Sequence, residues 1–144
     1  MMEAFSSPLT GALTASVSWL AIAVLSLVPV SDGFFARRLA FPLGALGGLV
    51  LAIFGLNAVW SASEQLTLPL GLPDLPFHLR IDPLAGFFLL LLGAVSAGIS
   101  FYAGGYFRGE PSGRLALISA QYHVFLASMA FVILADDAYL FMVA

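Results

Sequence analysis

The sequence predicts an all-α membrane protein. It would have four transmembrane helices, the start of a fifth, the N-terminus outside, and a short outer β-hairpin between helices 2 and 3. Three observations carry this. Hydrophobic residues make up 61% of the 144-residue chain and charged residues only 9%, where a soluble domain carries about 25% charged. The apolar residues fall in long blocks instead of alternating around one core. One segment between two of these blocks is rich in Pro and alternates apolar with other residues. So few charges cannot wet the surface of a 15.2 kDa globule, which excludes a soluble enzyme and a disordered segment. A nucleic-acid binder needs a basic face, and the net charge is -3. With no Cys, disulfides, thiolate metal sites and cysteine nucleophiles are excluded.

A bilayer core of about 30 Å requires roughly 20 apolar helical residues. Segments of that length run from about Leu9 to Val30, Leu39 to Trp60, Leu84 to Gly104 and Leu115 to Ala135. None has Asp, Glu, Lys or Arg in its interior. A further apolar stretch, Tyr139 to Ala144, follows Asp136–Asp137. Residues 1–60 therefore hold helices 1 and 2, residues 61–83 the outer loop or hairpin, and residues 84–144 helices 3 and 4 and the start of helix 5. The first span is not expected to be a cleaved signal peptide, because Glu3 and no Lys or Arg precede it.

Orientation follows from the positive charges. Arg37 and Arg38 follow the first span, and Arg108 and Arg114 lie between the third and fourth. Only Arg80 lies between the second and third, against Glu64, Asp74 and Asp82. The positive-inside rule then places both Arg-bearing pairs in the cytoplasm and the N-terminus outside.

Helices in lipid gain little from apolar burial against each other, so small residues that admit close backbone approach matter more. Gly44, Gly47 and Gly48 in the second span are such residues. So are Gly93 with Ala97, Ala94 with Gly98, Ser96 and Ser100 in the third. Phe54, Phe87, Phe88, Phe101 and Trp60 are expected to face lipid or neighbouring helices. In the outer segment Leu66, Leu68, Leu70 and Leu72 alternate, as do Phe77, Leu79 and Ile81, around the turn-like Pro73–Asp74–Leu75–Pro76. This reads as a β-hairpin in which Pro69 and Pro73 limit pairing to an edge. Its apolar face is expected to lie against other parts of a larger membrane complex.

The polar residues each have a structural and a functional reading. Asp82–Pro83 has the chemistry of an N-cap and a first helical position, or of an ion-entry point. Asp137 can cap the fifth helix, and Asp136–Asp137 together could attract cations. Arg80 can pair with Asp82 or with headgroups. His78 is an isolated loop residue, structural or simply exposed. His123 lies near the middle of the fourth span, with Ser119, Gln121 and Tyr122 close by. An ionisable residue at that depth is a functional candidate, and His can relay a proton near neutrality. It can equally be a neutral ring bonded to a neighbouring helix. The proton-path candidates are thus His123, Asp82, Asp136 and Asp137. No catalytic constellation, cofactor-binding loop or metal-ligand cluster is present.

The run Leu70-Gly-Leu-Pro-Asp-Leu-Pro-Phe-His-Leu-Arg-Ile-Asp-Pro-Leu-Ala-Gly-Phe-Phe-Leu-Leu-Leu-Leu92 resembles the N-terminal part of the antiporter-like membrane subunits of respiratory complex I and the Mrp antiporters. The nearest likeness is to the antiporter-like membrane subunits of hydrogenase-4 and of formate hydrogenlyase. Ser100-Phe-Tyr-Ala-Gly-Gly-Tyr-Phe107 is similar to the family segment leaving the third helix. Val124-Phe-Leu-Ala-Ser-Met-Ala-Phe-Val-Ile-Leu-Ala-Asp-Asp137 is similar to its fourth helix and following turn. The resemblance covers about Leu66 to Ala144, and the first two spans fit by position and hydropathy.

The resemblance implies the N-terminal part of a proton-translocating membrane subunit in a redox-driven complex of the hydrogenase-4, formate hydrogenlyase or NADH-quinone oxidoreductase type. Such a chain does no redox chemistry of its own and binds no cofactor. Iron–sulfur or nickel–iron centres are expected in partner subunits. Membrane lipid and other membrane and peripheral subunits are its expected partners, in a bacterial-type inner membrane. Family subunits have about fourteen helices with two inverted repeats. Their first translocating acid is a Glu on the fifth helix after a Trp, tuned by a Lys on a later helix. This chain has no Lys and stops about where that pair would begin, so its expected role is a scaffold. Asp82 and Asp136–Asp137 match peripheral family positions, and His123 stands where a polar, often Asn-like residue is usual. Tyr139 to Ala144 supplies only about 9 Å of helix, so a fragment, a split gene product or a cloned boundary is expected. Two alternatives stand beside this reading: a cation/proton antiporter subunit without redox partners, and a self-contained four-helix membrane assembly protein.

Overall fold

A computed structural model of the chain describes residues 7–28, 34–72 and 75–144, and for Arg37, Leu70, Gly71, Leu72 and Leu75 the backbone only. Its elements are α1 (Pro8–Leu27), α2 (Phe41–Trp60), β1 (Glu64–Leu72), β2 (Leu75–Ile81), α3 (Pro83–Tyr106), α4 (Ser112–Leu134) and α5 (Ala138–Val143). Four helices among the described residues are long and apolar enough to cross a membrane. A two-stranded antiparallel hairpin joins α2 to α3. This is the architecture that the hydropathy blocks predict.

The helix ends shift for local reasons. The first apolar run reaches Val30, but the helix ends at Leu27, with Val28 extended at φ −71° and ψ 123°. Val28 precedes Pro29, and a residue before proline is driven out of the helical region. Ser7 caps the other end by accepting from the Thr10 N–H. A π-helical turn, Ala36–Ala40, runs directly into α2. Pro42 has no N–H to offer the carbonyl one turn back, and the ladder changes register beside it. Asp82 accepts from the Ala85 N–H at 2.8 Å with Pro83 opening the helix, so it is the N-cap of α3.

α2 and α3 form the most extensive contact. Six of the seven buried positions of α2 (Phe41, Gly44, Gly48, Leu51, Gly55, Ala58) advance in alternating steps of three and four, and the seventh, Gly47, faces Trp19 of α1. Six of the seven in α3 (Gly86, Leu89, Gly93, Ser96, Ser100, Ala103) do the same, with Ala97 beside the row. That spacing keeps one seam of each helix facing its partner. A Cβ on Gly48 would sit 2.8 Å from the Gly93 carbonyl, and one on Gly55 would sit 2.8 Å from the Gly86 carbonyl. The seam is therefore closed by missing side chains. The expected Ala94–Gly98 pair is not part of it. Ala94 is exposed, and a Cβ on Gly98 would meet nothing within 4 Å. As expected, Phe87, Phe88, Phe101 and Trp60 are exposed and Phe54 packs on a neighbouring helix, over Gly11 of α1.

The hairpin pairs Glu64 with Ile81, Leu66 with Leu79 and Leu68 with Phe77, and its register slips between Leu68 and Gly71, around Pro69. The expected turn at Pro73–Asp74 lies outside the described residues. The expectation that another part of a complex covers the apolar face is overturned. Leu79 and Ile81 are each 1% exposed, and Leu66, Leu68 and Phe77 pack on the same core as Leu9, Ala12, Leu134 and Leu140. The ends of the chain's own helices supply the cover. Ala135 bridges to Leu79, and the Asp136 N–H donates to the His78 carbonyl at 3.0 Å, which occupies part of the free edge of β2.

Candidate functional site

Two clusters of polar side chains emerge, one at the hairpin end and one in mid-bundle. At the hairpin end the N-terminus of α1, the hairpin, the start of α3 and the end of α4 converge. The Leu9 N–H donates to Glu64 Oε2 at 3.1 Å. Arg80 reaches both Asp82 at 3.6 Å and Asp136 at 3.7 Å, so its partners go beyond Asp82 alone. His78 is not isolated. Its backbone N–H and its Nδ1 both meet Asp137 Oδ2, at 2.9 Å and 3.1 Å. Asp137 also accepts from the Leu140 N–H at 2.6 Å and so caps α5. The N–H of Leu140, and after it that of His78, hold the Asp137 carboxyl below its ordinary range. Asp82, Asp136 and Asp137 thus serve as caps and clasps on one face of the bundle.

The mid-bundle cluster is built on α4. His123 is fully buried, as are Ser119, Ser26, Ser96 and Ser100 around it. Its Nδ1 lies 2.8 Å from the Ser119 carbonyl, one turn back on its own helix. A carbonyl only accepts, so Nδ1 carries the proton and the neutral ring holds a bare lone pair at Nε2. Nε2 has no hydrogen-bond partner among the described residues. It points at Gly44 of α2, where an added Cβ would collide with it. The Ala40 carbonyl, in the π-helical turn, stands beside the ring without reaching hydrogen-bond geometry.

Two hydroxyl chains flank this ring. Toward α1, Ser26 donates to the Ile22 carbonyl at 2.8 Å. Its only proton is then committed, so Ser119 donates to Ser26 across 2.9 Å. Toward α3, the Tyr122 hydroxyl donates to the Ser96 carbonyl at 3.3 Å and meets Ser100 Oγ at 2.8 Å. Phe41 closes the cluster, its ring 6.1 Å from both Tyr122 and His123. Trp19, fully buried, donates from Nε1 to the Gly44 carbonyl at 3.1 Å. Gly44 is accordingly the point where α1, α2, α3 and α4 meet. The arrangement can take up a proton at one defined atom, Nε2, with the Ala40 carbonyl as the nearby acceptor for the new N–H.

The structure does not bring the four predicted site residues together. From His123 to the end of α4 is roughly 16 Å of helix at 1.5 Å per residue, and the three aspartates lie beyond that end. Sequence reasoning singles out His123, Ser119 and Tyr122, but not Ser26, Trp19 or the π-helical turn. Pro42 is the available signal for the turn. Nothing in a single sequence brings Ser26 and Ser119 together, since they are joined only by packing. Among the described residues no group of His, Asp and Glu could hold a metal ion.

No family profile matches the chain. It is similar to two uncharacterised proteins of Mycobacterium tuberculosis, one from strain CDC 1551 and one from strain ATCC 25618 / H37Rv. Each is 38% identical over 73 residues, which is 51% of this chain and 11% of the relative. The matched segment thus spans about a tenth of the length of these curated relatives.

Proposed function

We propose that the chain forms the N-terminal helical wall of a proton-translocating membrane subunit of the complex I and Mrp antiporter superfamily, in a redox-driven complex of the hydrogenase-4 or formate hydrogenlyase type. The membrane is a bacterial-type inner membrane, with the N-terminus and hairpin outside and the arginines of the opposite end in the cytoplasm. The observation that carries this reading is His123. It is a buried titratable ring at the middle of a spanning helix, locked by Ser119 at Nδ1 and unpartnered at Nε2. Burying such a ring without a partner is costly and points to function. The motifs from Leu70 through Asp137 support the same family, and the much greater length of the mycobacterial relatives is consistent with a wall that further helices complete. The redox centres belong to partner subunits.

The test is made in native membranes. A tagged chain is expected to co-purify with subunits bearing iron–sulfur or nickel–iron signals in electron paramagnetic resonance. His123→Ala in the intact complex is expected to slow proton translocation more than electron transfer. A chain that purifies without redox partners, with proton movement unchanged by His123→Ala, would overturn the proposal. Orientation is tested separately. The chain has no Cys, so Thr67→Cys in the exposed face of β1 can be labelled from one side only, and the expected side is the periplasm.

A further inference from the structure

The two ends of the bundle treat their charges differently. At the hairpin end Arg80 and His78 face Asp82, Asp136 and Asp137. At the opposite end Arg114 pairs with Glu110 at 3.4 Å, but Arg38 and Arg108 have no ion pair among the described residues. Both line one cavity of about 720 Å³, between the start of α2 and the end of α3, together with Pro42, Ser100, Gly104 and Gly105. Among the described residues no carboxylate lines it. Gly105 meets no neighbour at the position of a Cβ, and Gly104 meets only Phe41 at 3.6 Å, so the α3 wall of the cavity stays open. Phe101, which is 84% exposed, also lines it, and Tyr102 and Tyr106 are exposed on the same helix end.

We propose that this cavity binds the phosphate of an anionic phospholipid. The inference requires only that the helices cross a membrane, and it stands whether or not the chain belongs to a proton-translocating complex. Two guanidinium groups offer paired N–H donors that match phosphate oxygens. Pro42 brings no N–H donor to the site, the two glycines bring no side chain, and the buried Ser100 hydroxyl is committed to Tyr122, so recognition falls to Arg38 and Arg108. The site opens at the end of membrane-spanning helices, where headgroups lie. Phe101 both lines the cavity and is exposed on the outer surface of α3, so it offers an apolar contact to an acyl chain, and Tyr102 and Tyr106 have the amphipathic rings that favour the interface. Basic pockets between transmembrane helices bind anionic headgroups by this chemistry.

The test is native mass spectrometry of the full chain, extracted from membranes containing phosphatidylglycerol and phosphatidylcholine. The wild type is expected to retain one phosphatidylglycerol. The doubly substituted Arg38→Gln, Arg108→Gln chain is expected to lose it at least about tenfold more readily, while Arg114→Gln retains it. Gly105→Leu keeps both arginines but fills the cavity mouth, and it is expected to release the lipid as well, with helical content by circular dichroism unchanged. Inorganic phosphate at millimolar concentration is expected not to displace the lipid. Equal retention by wild type and double variant would overturn the proposal. So would wild type with no bound anionic lipid because an acidic protein segment occupies the cavity, or displacement by inorganic phosphate alone.

Discussion

The α2–α3 seam and the α1–α4 seam solve the same packing problem in opposite ways. Gly48 and Gly55 face Gly93 and Gly86, and the two backbones touch. Between α1 and α4 the contact is made by side chains, with Ile22, Leu126, Ala127 and Ala130 in one core cluster and the Ser26–Ser119 bond across the pair. In the first seam a Cβ added at Gly48, Gly55 or Gly93 would meet backbone of the facing helix within 3 Å. The second carries hydroxyls and an imidazole whose protons can be redistributed. A bundle that must stay closed while holding a titratable group needs both kinds of contact. The glycine seam fixes α2, and α2 in turn presents Gly44 and Ala40 to His123.

The largest expected effect lies in the glycine seam. In Gly48→Leu the new Cβ would stand 2.8 Å from the Ala97 nitrogen and the Gly93 carbonyl, and neither can move unless α3 moves. Overpacking of this kind costs about 3 kcal/mol or more where backbone is the obstacle. Gly98→Leu, on the lipid side of α3, should change stability by less than about 0.5 kcal/mol. SDS-driven unfolding followed by circular dichroism measures both. Comparable losses would mean that the helices do not meet at the glycines.

Trp19 tests how the two seams communicate. Trp19→Phe removes the donor to the Gly44 carbonyl and opens space against Gly47, whose added Cβ would lie 2.7 Å from the indole nitrogen. The hydrogen bond contributes about 1 kcal/mol, and the space left behind adds to that loss. Unfolding in detergent should therefore shift by more than for a serine substitution but by less than for Gly48→Leu.

The contrast between the seams also explains what could be read from the sequence. Spans, hairpin and caps were legible because each rests on local chemistry: apolar runs, alternation around Pro73–Asp74, and Asp82 before Pro83. Gly48 and Gly93 were legible as small residues, but Ala94–Gly98 has the same four-residue spacing and faces outward. Spacing shows that residues share a face, and only the heptad run from Gly86 to Ala103 shows which face has a partner. His123 was visible by its depth in the span. Its tautomer was not, because that depends on how the ring turns toward Ser119. The pairing of His78 with Asp137 joins residues 59 positions apart and has no local signature.

Within the polar seam, Ser119→Ala removes the hydroxyl shared with Ser26 but leaves the carbonyl that holds His123 Nδ1. Hydrogen bonds between membrane helices contribute about 0.6 kcal/mol on average, so a loss of that order is expected. Nitrogen chemical shifts of the His123 ring sharpen the point. They should report a proton on Nδ1 and a bare Nε2 in both wild type and Ser119→Ala. A proton on Nε2 in the neutral ring would remove the lone pair on which the site depends.

The smallest effect concerns the hairpin end, where charge acts through exposed clasps. The Asp137 carboxyl is held below its ordinary value, near 3.8, first by the Leu140 N–H and then by that of His78. Its carboxylate is favoured in the folded state, so its contribution is fully present above the ordinary carboxylate range. The contribution is lost as pH falls through the lowered value. Hydrogen exchange at the Leu140 and His78 amides should therefore accelerate relative to core amides once the pH drops below about 4. Asp137→Ala, which removes both acceptor oxygens, should show the fast exchange already at neutral pH and lose the acid dependence, while the amides of the α2–α3 seam stay protected in both. If those seam amides opened together with Leu140 and His78, the clasp would be part of the bundle's own cooperative unit, and the independence of the two regions would be lost.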